Sequence, residues 1–106
     1  MNPKIQPILL ELHEALRGIY GARMERAVLF GSYARSQAEE GSDIDVLVVL
    51  DGPVHPSEEI ARTEEAVASL SLKWDRVISC AFVSRERYQN ENSPLLINVR
   101  NEGVAL

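Results

Sequence analysis

The stretch Asp43–Leu50, reading DIDVLVVL, constrains this chain more than any other. After Asp45 it is an unbroken run of Val and Leu. It lacks the polar alternation of a half-exposed strand, so it reads as a strand buried on both faces over most of its length. Such a strand must be covered on both sides, which points to a sheet packed by helices. The two aspartates at its start lie two residues apart. Strand side chains alternate, so both carboxylates project the same way. Two adjacent carboxylates repel, and both stay ionised in a partly buried place only with compensation. A hard divalent cation supplies it, since magnesium takes oxygen ligands together with substrate phosphates. A solvated pair at a strand entrance, with Ser42 and Asp43 serving the turn, is the plainer alternative. The buried run that follows immediately favours a site.

The other segments supply the cover. Ile5 to Tyr20 places apolar residues at helical spacing, with Asn2-Pro3 suited to its start and Gly21 to its end. Ala27 to Phe30 reads as a strand and Ser32 to Ala38 as a short helix, with a turn at Glu39-Glu40-Gly41. Ser57 with two glutamates opens a long helix whose apolar stripe is Ile60, Val67, Leu70 and Trp74. Its glutamates Glu58, Glu59, Glu64 and Glu65 form a solvated face. Val77 to Val83 is a third strand, and Ser84 to Asn90 a helical turn. Ser93-Pro94 opens a last helix through Leu95, Leu96 and Val99 that closes at Gly103. The expectation is one α/β (α+β) domain over residues 1–106, a small sheet flanked by helices, with strand directions left open.

Gly31 and Ser32 stand where the first strand gives way to the expected helix. Glycine admits close backbone approach, and a helix start offers N–H groups and a favourable dipole to an anion. The Ser32 hydroxyl adds a donor, and the pair reads as a phosphate seat. Alone, Gly-Ser reads equally well as a turn with Ser32 as N-cap. Ten residues, Tyr33 to Ser42, separate it from Asp43. That interval returns the chain beside the first strand, so the seat and the carboxylates share one cleft.

Gly31-Ser32, ten residues, then Asp43-Ile44-Asp45 resembles the signature of the DNA polymerase β-like nucleotidyltransferase superfamily. The fuller text, Gly31-Ser32-Tyr33-Ala34-Arg35 with Ser42-Asp43-Ile44-Asp45, resembles its minimal, MNT-type members. The resemblance implies a polymerase β palm-like fold with a mixed sheet. It implies transfer of a nucleoside monophosphate from an NTP, ATP first among candidates, to an acceptor hydroxyl. Gly31, Ser32, Arg35 and Ser42 would contact the nucleotide. Asp43 and Asp45 would be the catalytic residues and would bind Mg2+ or Mn2+. Arg35 reads equally as a solvated surface arginine. The family implies a separate acceptor, in known cases a helical HEPN-type toxin neutralised by its nucleotidyltransferase antitoxin. Members often add a third carboxylate from the next strand. Here that position aligns with Ser79, and Asp75 serves only if the register shifts. A hydroxyl is a poorer magnesium ligand than a carboxylate, so a nucleotide- or partner-binding module without turnover stands as the alternative. A purely structural interaction domain ranks third.

Composition sets the outer bounds. A formal net charge of −5 suits non-specific nucleic-acid binding poorly. Two distant histidines, His13 and His55, and one cysteine, Cys80, give no zinc-ligand spacing. No bilayer-length apolar run or signal peptide is present, so a cytoplasmic location away from membranes is expected. Cys80, Trp74 and Tyr33 read chiefly as packing residues, Tyr33 alternatively as a flank for a nucleotide. The apolar last helix leaves oligomeric state open.

Overall fold

The computed structural model describes residues 2–106; Met1, the first residue of the expected domain, lies outside them. The elements run α1 (Gln6–Tyr20), a 3-10 turn (Gly21–Arg23), β1 (Met24–Phe30), β2 (Ile44–Leu50), α2 (Pro56–Trp74), β3 (Ile78–Ser84), α3 (Arg85–Asn90), α4 (Pro94–Glu102) and β4 (Val104–Ala105). The sheet order is β3-β2-β1-β4. β1 pairs antiparallel with β2 and β4, and β2 pairs parallel with β3, so the sheet is mixed, as expected. The parallel step needs a long crossover, and α2 provides it.

β2 lies at the centre, and its two faces feed two cores. Ile44, Val46, Val48 and Leu50 pack with Ile8, Leu12 and Leu16 of α1 and with Phe82 of β3. Leu47 and Val49 pack with Val28, Val83, Tyr88 of α3, and Leu96 and Val99 of α4. Alternation thus assigns α1 and α2 to one face and α3 and α4 to the other. Removing these aliphatic groups from water is the main stabilising term, at about 25 cal/mol per Å2 of apolar surface.

Several expectations change. α1 begins at Gln6 rather than at Asn2-Pro3, with Pro7 in its first turn, where a missing N–H costs nothing. Ser32–Ala38 is not a helix. Arg35 N–H bonds to the Gly31 carbonyl at 3.2 Å and Gln37 N–H to the Ser32 carbonyl at 2.9 Å, so the segment makes turns and then runs extended. Ser36, at φ +57°, breaks the winding. The α2 stripe is rotated: Ile60 is 54% exposed, while Glu59 and Thr63 are buried. Glu59 is therefore no part of a solvated face. Its carboxylate accepts hydrogen bonds from the Tyr20 hydroxyl at 3.0 Å and Arg62 at 2.7 Å, and Arg23 stands 3.7 Å away. β4, absent from the sequence reading, closes the sheet against β1.

Candidate active site

The site forms where β1 ends and β2 begins. Phe30 pairs with Asp45, so Gly31 lies directly beside the Asp45 side chain. A Cβ on Gly31 would lie 2.5 Å from Asp45 Oδ2, and Gly31 has φ +75°. Both facts require glycine at 31, because any side chain would displace the carboxylate and strain the backbone. The Gly-Ser turn and Asp45 are thus brought together, although the expected helix start is not there.

Asp45 lies on the same face of β2 as Leu47 and Val49, the face that α3 and α4 cover. It is half-buried, whereas Asp43, just before the strand, is exposed. Burial pushes the Asp45 carboxyl above its ordinary value, the negative charge of Asp43 pushes it further, and Arg35 pulls it back. Arg35 therefore acts electrostatically on Asp45. Its guanidinium also meets Gln37 at 3.2 Å and Glu102 of α4 at 3.9 Å, and it stays substantially exposed.

Ser42 is committed locally: its hydroxyl accepts from Glu39 N–H at 2.9 Å, and its own N–H bonds back to the Glu39 carbonyl at 3.0 Å. This pins the turn that delivers Asp43. Arg76 reinforces it by donating to the Ser42 carbonyl at 2.8 Å and to the Tyr33 hydroxyl. Arg76 thus ties the 33–42 loop to the start of β2. Sequence reading missed it. Its one signal was a cation just before β3, at the end where a parallel partner brings it beside Ser42-Asp43. Tyr33 is buried under this arginine and belongs to the core, the packing role.

Ser79 is the direct β3 neighbour of Asp45, as the alignment expected. Asp75 ends α2 in the left-handed conformation, four residues upstream, so the register does not shift to bring it into line. Among the described residues no group of three or more His, Cys, Asp and Glu side chains is placed to hold a metal. Two carboxylates and a hydroxyl still suit magnesium, which commonly takes one or two protein carboxylates and completes its shell with water and phosphate. The close-fitting Gly31 and the strained ionisation of Asp45 fit such an ion. Two larger hollows, about 500 and 440 Å3, lie elsewhere around the 33–41 loop and do not include Asp43 or Asp45 in their walls. Cys80 points into the helix-covered core, where burial pushes its thiol up to about 12 and leaves it inert. No helix among the described residues is long and apolar enough to cross a membrane.

The nucleotidyltransferase domain family model matches residues 9–106, nearly the whole chain. This chain belongs to the nucleotidyltransferase domain family. A Methanocaldococcus jannaschii protein named as a protein adenylyltransferase is 34% identical over 97 residues, covering 91% of each chain. A second relative of that organism and name is 33% identical over 76 residues, covering 72% of this nucleotidyltransferase domain and 76% of the relative. Among solved structures, a toxin–antitoxin complex crystallised with AMP-PNP contains a chain that superposes with a TM-score of 0.65 at 19% identity, covering 91% of this domain and 69% of that chain. Another match is to the tri-AMPylated Shewanella oneidensis HEPN toxin in complex with its MNT antitoxin, with a TM-score of 0.57, 20% identity, and coverage of 94% and 69%. At such identities these likenesses establish the nucleotidyltransferase fold.

Proposed function

We propose that this domain transfers AMP from ATP to a hydroxyl on a partner protein, and that the partner is a helical HEPN-type toxin for which it serves as antitoxin. The observation that carries the reading is the close approach of Gly31 to Asp45, with Asp43 two residues before it, where β1 ends and β2 begins. Relatives named as protein adenylyltransferases support the reaction, and the solved toxin–antitoxin complexes of this fold support the partner.

In this reading the backbone turn at Gly31 and Ser32 receives the triphosphate tail, with Arg35 beside it. Asp43 and Asp45 would hold Mg2+ or Mn2+. Bound there, the ion supplies positive charge to the triphosphate and acidifies the acceptor hydroxyl. The acceptor oxygen bonds to the α-phosphorus as the bond from that phosphorus to the bridging oxygen breaks. Pyrophosphate leaves and the hydroxyl proton is released. Ser42 acts through its turn, positioning Asp43. The site works in the cytoplasm, where ATP and magnesium are abundant.

The test is calorimetry of ATP with magnesium, followed by transfer of labelled AMP to a HEPN-type partner. Metal-dependent binding and label on the partner, both lost in Asp43→Asn/Asp45→Asn, are expected. Native protein that binds no nucleotide would overturn the reading. Ser79 beside Asp45 favours a second reading, a nucleotide-binding module without turnover. Tight ATP binding with no pyrophosphate release on any partner would select it.

A further inference from the structure

A pocket of about 220 Å3 opens on the other side of Gly31 from β3. Phe30, Leu95 and Val99 give it apolar walls, and Asn98, Arg35 and Glu102 stand at its polar edge. Phe30 and Val99 belong to the core on the Asp45 face of the sheet, so pocket and carboxylates share one side of the molecule. Leu95 is 47% exposed, an apolar side chain left partly open beside a charged site. Pockets that take a whole small ligand span roughly 300–1,000 Å3, so this one suits a planar ring system rather than a full nucleotide.

We propose that this pocket, between the end of β1 and α4, receives the base of the nucleotide and that Asn98 selects adenine. The inference rests on the nucleotidyl-transfer reading and adds where the base lies. Sheet order supplies the direction. Gly31 stands on the β1 side of Asp45 and Ser79 on the β3 side. In-line displacement brings the acceptor opposite the leaving pyrophosphate. With the triphosphate held at Gly31, the nucleotide occupies the β1 side and the acceptor enters over Ser79. Arg35 joins the two parts of the ligand, since it lines the pocket and acts on Asp45. Its long contact to Glu102 is exposed and weak, so the guanidinium turns to phosphate at little cost. The Asn98 amide offers a donor and an acceptor side by side, the pair that the N6 and N7 edge of adenine complements.

The experiment titrates native protein, Leu95→Trp and Asn98→Ala with ATP, GTP and inorganic tripolyphosphate in magnesium. Leu95 is partly exposed, so the tryptophan fills the pocket without entering the core; unchanged melting temperatures verify this. Leu95→Trp is expected to lose roughly tenfold or more in ATP affinity while tripolyphosphate affinity holds. Asn98→Ala is expected to lose the preference for ATP over GTP. Native-like ATP affinity and selectivity in both variants would overturn the base pocket and leave the transfer reading standing. Native ATP affinity with lost AMP transfer would assign the pocket to the acceptor instead. Native protein that binds neither ATP nor tripolyphosphate would overturn the transfer reading itself, and this inference with it.

Discussion

Glu59 and Asp45 are both carboxylates turned into the protein, and their surroundings are opposite. Glu59 is 1% exposed and sits among a tyrosine hydroxyl and two arginines. Asp45 is less buried, yet burial and the charge of Asp43 oppose its ionisation, and Arg35 only partly offsets them. The first arrangement satisfies a buried charge; the second leaves it wanting a cation. Depth alone does not mark a functional acid. In the proposed reading, what marks it is burial beside a like charge that is not fully compensated.

The largest expected effect separates the two acids by substitution. Asp45→Asn should lower ATP affinity or AMP transfer by on the order of 100-fold or more, read by calorimetry or label transfer. Its melting temperature without ligand should hold or rise. The sign follows from the raised folded-state pKa: the stability tied to neutral Asp45 is complete below the unfolded value and is lost as pH rises through the folded one. The advantage of the Asn variant should therefore be clear at neutral pH and vanish in strong acid. A destabilised Asp45→Asn would break the contrast.

Glu59→Ala should behave in reverse. It strands the Tyr20 hydroxyl and leaves a hole, at about 2–4 kcal/mol in a denaturant titration, while ATP affinity of the folded fraction stays native. Next in size is Ser79→Asp, which places a third carboxylate in register with Asp45. Turnover should rise roughly tenfold, with tighter metal binding and a slightly lower melting temperature. An unchanged rate would show that the hydroxyl is not what limits the chemistry.

Alkaline titration probes the Glu59 side more gently. Burial, aided by the bond to Glu59, pushes the Tyr20 phenol from 10.0 up to about 12. Stability should be complete below pH 10 and fall as pH rises toward 12. Tyr20→Phe should remove that fall. Smallest is Ser36→Gly, which relieves a left-handed serine and should stabilise by about 0.5 kcal/mol.

Much of this was legible in the sequence because it is local. DIDVLVVL announced a central strand from its own residues, and the family motif placed Ser79 beside Asp45 before any strand direction was known. What was hidden depended on distant partners. Glu59 looked like one of four solvated glutamates because Tyr20 and Arg23, which bury it, lie far away in the chain. Glu25 and Arg26 masked the first half of β1, where the pairing register slips between Met24 and Arg26. The 32–38 segment has helix-forming alanines, but so short a stretch cannot repay helix nucleation once Ser36 turns left-handed. Ser36 itself is not helical, and its left-handed backbone carries strain. β4 has only two residues, too few for any periodicity to show.

The antiparallel pairing of β1 with β2 keeps Gly31, Asp43 and Asp45 on one stretch of chain from Met24 to Leu50, while Ser79 arrives separately through the α2 crossover. In the proposed reading, the half that receives phosphate is therefore carried on a single hairpin, and the strand bearing Ser79 is a separate part. Substitutions in β3 can then alter what approaches Asp45 from the Ser79 side without touching the Gly31 turn.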